Sequence, residues 1–221
     1  MKITVHTFCY NEARLVPYFL RHYTADWVER IVVYDDNSDD GSVELLKESP
    51  LVEVRPFGRR PDQPLNTRMV ELRNAAIGEG RRQGAPWVLV PDFDEFFWHQ
   101  TIPAFLERAH SEGHAVIRPY GWNMVHPYFP RTSGPITDEV RKGYPHYAYS
   151  KPILMRPDLI ASAGFHDGAH HANPRGFNGA AEARGDGCCS PRGERAASEG
   201  ETGERRRPDT PRRRPRRESQ C

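Results

Sequence analysis

The sequence predicts an α/β fold with a mainly parallel sheet and helices on both faces. Short apolar segments of strand length alternate with amphipathic helical segments along the first 120 residues. Polar and acidic clusters follow three of the predicted strands, at the point where each strand ends. Because ligands of open α/β sheets bind beyond the carboxyl ends of the strands, these clusters are candidate binding residues.

The pattern divides the first part of the chain into four consecutive βα repeats. A helix is expected after Tyr10-Asn11-Glu12, where Val16, Phe19, Leu20 and Tyr23 form its apolar stripe and Pro17 fits only near the first turn. Four repeats in a row indicate right-handed crossovers and a mainly parallel sheet. The other elements that we predict are strands at 2–8, 31–34, 51–56, 87–90, 115–117 and 150–155, helices at 66–83 and 102–109, and a helix after the second strand with Val43, Leu45 and Leu46 on its buried face.

The segment that follows residues 87–90 carries three carboxylates in four positions, Asp92, Asp94 and Glu95. On an extended strand, Asp92 and Asp94 share one face. Two carboxylates held together repel unless a cation or a proton lies between them, and oxygen ligands of this kind select Mg²⁺, Mn²⁺ or Ca²⁺. The alternative is a solvated acidic turn. The apolar neighbours argue against such a turn, namely Phe93, Phe96, Phe97 and Trp98.

Arg73 falls on the apolar stripe of the predicted helix at 66–83, between Met69 and Ile77. A guanidinium that points inward needs a carboxylate or phosphate partner, since an unpaired buried charge is costly. Alternatively, the methylene groups of its side chain pack on the core and the guanidinium reaches the solvent. The spacing alone leaves both interpretations open.

Composition separates the chain into two unlike parts. Residues 1–174 carry 19 Lys and Arg against 22 Asp and Glu, whereas residues 175–221 carry 12 Arg, 8 acids and no Val, Ile, Leu or Met. Such a tail buries too little apolar surface to offset its ordering entropy, so we expect it to be disordered. Its Arg runs lack interleaved aromatic residues, so we expect no specific nucleic-acid partner.

The four cysteines follow no spacing typical of a disulfide framework or a zinc site. No apolar run approaches the ~20 residues that span a bilayer, and the chain leads directly from Met1 into a strand without a secretory leader. The expected location is therefore cytoplasmic. Peripheral contact with the inner face of the membrane is left open.

Taken together, the polar clusters resemble the nucleotide-sugar half of bacterial family 2 glycosyltransferases, which have the GT-A fold. The resemblance covers roughly residues 1–174, divided into a nucleotide-sugar half at 1–100 and an acceptor-side half at 101–174. It rests on the order and spacing of Tyr10-Asn11-Glu12, Asp35-Asp36-Asn37-Ser38-Asp39-Asp40-Gly41, Arg73-Asn74, Asp92-Phe93-Asp94-Glu95 and Gly121-Trp122-Asn123-Met124.

The resemblance implies roles for the residues at the strand ends. The end of the first strand lines the nucleotide pocket, and Asp36 hydrogen-bonds the base with Arg73 nearby, so that Arg73 would meet Asp36 or the nucleotide. Asp92 faces the ribose and Asp94 holds Mn²⁺ or Mg²⁺ on the diphosphate, with Asp92 counted among the metal ligands. The first-strand residues implied are Cys9, Tyr10, Asn11 and Glu12.

Two further roles fall in the second half of the chain. An inverting enzyme needs a carboxylate base, and Asp138 and Glu139 are the candidates, although an acidic pair at a helix N-terminus is an equally good interpretation. The segment at 168–174 resembles a late glycine–histidine motif in which His170 completes the metal or phosphate site. His171 is an alternative and His166 a weaker one.

The expected function is metal-dependent transfer of a sugar from a nucleotide-sugar donor to a saccharide or lipid-linked acceptor, with inversion. A phosphohydrolase of the haloacid dehalogenase type also uses Asp-x-Asp after a strand. That pair lies near the N-terminal strand, with Thr or Val two residues after the second Asp, where this chain has Phe96. A third interpretation is a nucleotide-binding remnant without activity.

The remnant interpretation arises because the chain departs from the family after Asn173. The family continues with apolar elements and a Leu-His-Tyr-Lys-like segment, whereas this chain continues with Arg, Gly, Pro, Ala, Ser and Glu. These residues share GC-rich codons, so we hypothesise that residues from about 175 onward are read in the wrong frame. Translating the other two frames past codon 174 tests this. If neither frame yields an apolar continuation, the tail is native.

Overall fold

Eight strands and five α-helices follow one another in the computed structural model, which describes residues 1–176 of the chain. Single turns of 3₁₀-helix lie at Tyr147–Tyr149 and Asp167–Ala169. In chain order the elements are β1 (Ile3–Cys9), α1 (Val16–Tyr23), β2 (Val28–Asp35), α2 (Ser42–Lys47), β3 (Val52–Pro56), α3 (Leu65–Gln83), β4 (Val88–Leu89), α4 (Ile102–Ser111), β5 (Val116–Ile117), β6 (Trp122–Val125), α5 (Ile136–Glu139), β7 (Lys142–Pro145) and β8 (Leu154–Met155).

Six of these strands form one sheet in the order β3-β2-β1-β4-β8-β5. The strands β3, β2, β1 and β4 pair in parallel, whereas β8 runs antiparallel to both of its neighbours, β4 and β5. The predicted α/β class with a mainly parallel sheet is therefore confirmed. The strands β6 and β7 form a separate antiparallel pair.

Helices cover both faces of the sheet, as predicted. The thiol of Cys9 lies 3.9 Å from the hydroxyl of Ser38, in the loop that leads into α2. The ring of the preceding Phe8 lies 4.8 Å from the guanidinium carbon of Arg73, on α3. Because adjacent residues of a strand point to opposite faces, α2 and α3 lie on opposite sides of β1.

The helices predicted at 66–83 and 102–109 agree with α3 and α4 to within two residues at each end, and the helices predicted around Val16 and Val43 are α1 and α2. Pro17 is the second residue of α1, where its missing N–H removes no intrahelical bond. The strands of the second half are shorter than predicted, and β8 retains only Leu154–Met155 of the expected 150–155. Pro152 lies inside that expected strand and lacks a donor for the ladder, which is consistent with the shortening.

Within residues 1–176, no helix combines the length and the apolar character that crossing a membrane requires. The predicted disorder of the tail and the frame hypothesis concern residues of which all but the first two, 175 and 176, lie outside the described part. Both stay predictions.

Candidate functional site

A cavity of about 660 Å³ opens beside the acidic segment that follows β4. One wall carries Asp92, Asp94 and Glu95 together with Lys151, and the other walls are largely aromatic. It therefore lies at the carboxyl end of a central strand, where the fold class places ligands. The aromatic side chains that line it are Phe96, Trp98, Trp122, Tyr128, Phe129 and Tyr149.

The acidic segment is a tight turn and not an extended strand. The backbone N–H of Glu95 donates to the carbonyl of Asp92 at 3.0 Å. Phe93 is buried and stacks on Phe19 of α1, with ring centroids 4.3 Å apart. The expectation that Asp92 and Asp94 share one strand face is therefore wrong, because a turn ends the alternation of side chains on which it depended.

The turn is held in place from α1. The hydroxyl of Tyr23 donates to the carbonyl of Glu95 at 2.8 Å and accepts the backbone N–H of Phe97 at 3.0 Å. Tyr23 itself is fully buried. The carboxylates of the turn thus project from a backbone that the core fixes on both sides.

Arg73 points inward, and its partner is Asp92. Its guanidinium donates to one carboxylate oxygen of Asp92 and lies over the ring of Phe8. The inward interpretation is therefore confirmed, with Arg73 1% exposed. Of the two partners expected for Arg73, Asp36 is not in contact with it, since α3 directs it toward the turn after β4. The contact of Arg73 with a nucleotide stays a prediction.

Lys151 supplies a second buried cation. Its ammonium donates to the other carboxylate oxygen of Asp92 and lies 2.7 Å from Oε1 of Glu95. Burial opposes the charge on Lys151, but Glu95 and Asp92 outweigh it and raise the pKa of the ammonium. Burial and the neighbouring Asp92 raise the pKa of Glu95, whose Oε2 also accepts the backbone N–H of Asp92 at 3.1 Å.

Asp94 is the carboxylate of the turn that stays free. It is exposed to the cavity and makes no hydrogen bond or ion pair with another side chain of residues 1–176. The protein around it and the charge of Asp92 raise its pKa. Burial, Asp94 and Asp40 raise the pKa of Glu12, so Glu12 faces the same carboxylate from the loop after β1.

The loop after β1 is tied to the loop after β2 by hydrogen bonds. The side-chain amide of Asn11 donates to Asp39 at 3.0 Å and its oxygen accepts the backbone N–H of Asp39 at 2.9 Å. Its own backbone N–H, at a φ of 54°, donates to the hydroxyl of Ser38 at 2.9 Å. Asn11 therefore acts here as a structural link between the two loops.

The remaining residues assigned to the nucleotide differ in accessibility. Tyr10 is 62% exposed, whereas Cys9 is buried, and burial raises the pKa of its thiol to about 11. The backbone N–H of Asp36 donates to the carbonyl of Cys9 at 2.9 Å. The carboxylate of Asp36 makes no hydrogen bond or ion pair within residues 1–176 and is available to a ligand.

The two candidate bases lie outside the lining of the cavity, on the short helix α5. Oε2 of Glu139 accepts the backbone N–H groups of Arg131 at 2.9 Å and Thr132 at 2.7 Å. Glu139 therefore has a structural role in this loop. The carboxylate of Asp138 is exposed and free, and its neighbour Thr137 lines the cavity.

The histidines are also separate from the acidic turn. Nδ1 of His170 lies 2.6 Å from the carbonyl of Ala148, so it donates there and leaves Nε2 open. The exposed side chains of His166 and His171 have no hydrogen-bond partner in the described part of the chain. Residues 1–176 contain no group of three or more His, Cys, Asp or Glu side chains suited to a metal ion.

The expected metal ligands Asp92, Asp94 and His170 therefore do not fit a divalent ion as a set. Both oxygens of Asp92 are engaged by cations, and His170 is absent from the cavity lining. Asp94 alone keeps a free carboxylate there. The geometry thus assigns Asp94 a different environment from Asp92, although both belong to one motif.

Sequence reasoning missed Lys151 and the aromatic lining of the cavity. Lys151 stands 59 residues after Asp92, and a lysine beside a proline carries no sign of burial. The aromatic residues between 120 and 149 offered a weak signal, since they cluster in a segment without clear periodicity. Their position around one cavity depends on how β6 and β7 fold back over the turn.

Comparison with known proteins gives structural similarities only. No family model matches the chain, and no curated protein matches it. The crystal structure of S. aureus TarS 1-349 in complex with UDP is similar over 72% of this chain and 48% of that chain, with 20% identity and a TM-score of 0.46. The same protein in complex with UDP-GlcNAc is similar over 72% of this chain and 46% of that chain, with 19% identity and a TM-score of 0.43. A crystal structure of 4-diphosphocytidyl-2C-methyl-D-erythritol synthase is similar over 72% of this chain and 76% of that chain, with 14% identity and a TM-score of 0.42.

The chain spans about half the length of the TarS 1-349 structures that it matches. The comparisons therefore describe a part of those chains.

Proposed function

We propose that this chain is a glycosyltransferase that moves a sugar from a nucleotide-sugar donor to a saccharide or lipid-linked acceptor. The observation that carries the proposal is the cavity of about 660 Å³ at the carboxyl end of β4, with Asp94 free on one wall and aromatic side chains on the others. Carboxylates at this edge suit the donor side, and aromatic faces suit the apolar faces of sugar rings. The motif resemblance gives the same assignment.

On the donor side, the proposed nucleotide contacts are Asp36 and Tyr10. Asp36 has a free carboxylate beside the end of β1, so it can accept hydrogen bonds from a base. Tyr10 offers an exposed ring on which a base can stack. We assign no direct contact with the base to Asn11 or Asp92, because their polar atoms are already engaged within the protein.

The proposed role for a divalent ion rests on Asp94. Mn²⁺ or Mg²⁺ characteristically binds one or two carboxylates together with substrate phosphates. When bound, such an ion stabilises the negative charge that develops on a diphosphate leaving group. We assign this contact to Asp94 and leave Asp92 out of the ligand set.

For the acceptor, we propose that Asp138 and not Glu139 takes the proton of the attacking hydroxyl. Inversion requires a base opposite the leaving group, and of the two candidates only Asp138 has a carboxylate without a hydrogen-bond partner in residues 1–176. It adjoins the cavity through Thr137. An exchange of Asp138 for Asn that leaves turnover unchanged would remove it from this role.

The experiment is titration calorimetry of the full chain with UDP, GDP, CDP, ADP and dTDP, with Mn²⁺ and then with EDTA. One diphosphate is expected to bind, and Asp94→Asn should remove most of the Mn²⁺-dependent gain, by several kcal/mol at most (about 2–3). The matched control Asp62→Asn, in an exposed loop, should leave binding unchanged.

Equal affinity of the wild type and Asp94→Asn would end the metal assignment. Turnover of the matching sugar nucleotides then distinguishes an enzyme from a nucleotide-binding remnant. A chain that binds a diphosphate but turns over no sugar nucleotide with Mn²⁺ would be such a remnant.

A further inference from the structure

Four charges meet at the wall of the cavity and neutralise one another, two of them buried and two half-buried. Arg73 and Lys151 are the cations, and Asp92 and Glu95 are the anions. The side chains of Arg73 and Lys151 are 1% and 6% exposed. We refer to these four residues as the buried charge cluster.

The ammonium of Lys151 lies between the two anions of this cluster. It contacts an oxygen of Asp92 and lies 2.7 Å from an oxygen of Glu95. An ammonium is a compact point charge with three donors, so one group can bridge two carboxylates in this way. The second oxygen of Asp92 is held by Arg73.

A divalent ion on Asp92 would need an oxygen that is free of cations. Its carboxylate ligands would have to come from the same turn, and the space between Asp92 and Glu95 is taken by Lys151. A metal ion placed there would also lie in contact with a second positive charge, at a distance where repulsion in a partly buried site is strong.

We propose that Lys151 is a built-in cation that fills the position between Asp92 and Glu95 and thereby keeps Asp92 from binding a divalent ion. Lys151 is thus a positioning residue that sets which carboxylate of the motif is open to a ligand. Asp94 stays available because its carboxylate makes no hydrogen bond or ion pair with another side chain of residues 1–176.

The proposal leads to a gain of metal binding when the lysine is removed. In Lys151→Met, the carboxylates of Asp92, Glu95 and Asp94 lie on one turn without the bridging cation, which gives three oxygen ligand groups for Mn²⁺. The free Mn²⁺ signal in electron paramagnetic resonance, measured on the full chain at pH 7.5 without nucleotide, reports the affinity directly.

We expect Lys151→Met to bind Mn²⁺ at least about tenfold more tightly than the wild type. Lys151→Arg is the matched control and should keep the weak binding of the wild type, because it retains the positive charge. Adding Glu95→Gln to Lys151→Met should reverse the gain. A variant that folds and binds Mn²⁺ no more tightly than the wild type would overturn the proposal.

Removing a buried cation can prevent folding, so two further measurements are included. If Lys151→Met is unfolded without metal, adding Mn²⁺ should restore a cooperative thermal unfolding transition that the metal-free sample lacks. In the otherwise unchanged protein, Asp92→Asn should leave Mn²⁺ affinity as it is. Loss of Mn²⁺ binding in Asp92→Asn would show that Asp92 is a ligand and would overturn the proposal.

None of these measurements depends on sugar transfer. The proposal concerns the same site as the proposed function, but its readout is Mn²⁺ binding without a nucleotide. A chain without turnover can still confirm it, and an active glycosyltransferase can still contradict it.

Discussion

The loop after β2 and the turn after β4 are both acidic and end at the same edge of the sheet, yet their charges are balanced differently. In the loop, Asp35, Asp39 and Asp40 accept hydrogen bonds from neutral donors, namely hydroxyls, backbone N–H groups and an amide. In the turn, Asp92 and Glu95 are paired with buried cations.

Each region leaves one carboxylate without a partner in residues 1–176, Asp36 in the loop and Asp94 in the turn. In both regions most carboxylates hold the local structure together and one, the open carboxylate, is free for a ligand. The carboxylates of an acidic cluster are therefore not equivalent ligands. Neutral donors suffice in the loop because it is exposed to water, whereas the buried turn requires cations. The effects of mutations on stability and on ligand binding should therefore differ between the two regions in size and in kind.

The largest effect on stability is expected in the turn. Arg73→Met removes a fully buried cation and leaves Asp92 with Lys151 alone, so the free energy of unfolding should fall by about 3 kcal/mol. The matched control is Arg82→Met, on the same helix but exposed, which should stay within about 0.5 kcal/mol of the wild type. Urea unfolding followed by circular dichroism measures both.

Similar losses for Arg73→Met and Arg82→Met would contradict the comparison. They would mean that the buried charge cluster contributes no more than an exposed arginine, and the distinction between the two regions would be lost.

A smaller effect is expected in the loop. Asp35 accepts the backbone N–H of Ser38 at 3.1 Å and its hydroxyl at 2.6 Å, so Asp35→Ala should cost about 1–2 kcal/mol of unfolding free energy. Asp36→Ala breaks no such bond and should cost less than about 0.5 kcal/mol. The same urea titrations give both values.

For nucleotide binding, Asp36→Ala should have a larger effect than Asp35→Ala, which is the reverse of their order for stability. Asp36→Ala should weaken binding of the nucleoside diphosphate even with EDTA present, because its carboxylate is proposed to contact the base. Asp35→Ala should keep that affinity while it remains folded. If metal-free affinity is unchanged in Asp36→Ala, the base-contact role is wrong.

Much of this arrangement could be predicted from the sequence, because local periodicity determines it. The strands β1, β2 and β3 and the helices α1 to α4 were predicted, since each carries a clear apolar stripe or run. The ends of these strands correctly indicated the edge at which the cavity lies.

The parts that could not be predicted depend on long-range geometry. The antiparallel insertion of β8 depends on how the chain returns from residues 120–149, for which no local pattern exists. The pairing of Lys151 with Asp92 joins residues 59 positions apart. The expectation for Asp92 and Asp94 failed because a single turn replaced the strand that it assumed.

Removing the open carboxylate of the turn should change stability in the opposite direction and only slightly. The pKa of Asp94 is raised above its ordinary value of 3.8 by the surrounding protein and by Asp92. Folding therefore favours the protonated form, so the stability that the neutral form contributes is present below pH 3.8 and is lost as the pH rises through the raised pKa. Asp94→Asn avoids this loss because an amide does not ionise.

We therefore expect Asp94→Asn to match the wild type in acid and to be more stable near pH 7, by less than about 1 kcal/mol because the side chain is exposed. Urea unfolding at intervals from pH 3 to pH 7 follows this difference, with Asp62→Asn as a control for removal of a carboxylate outside the site. A difference that is constant over the whole pH range would mean that folding does not raise the pKa of Asp94. A less stable Asp94→Asn near pH 7 would mean that its carboxylate has a partner in the folded chain and is not the open member of the turn.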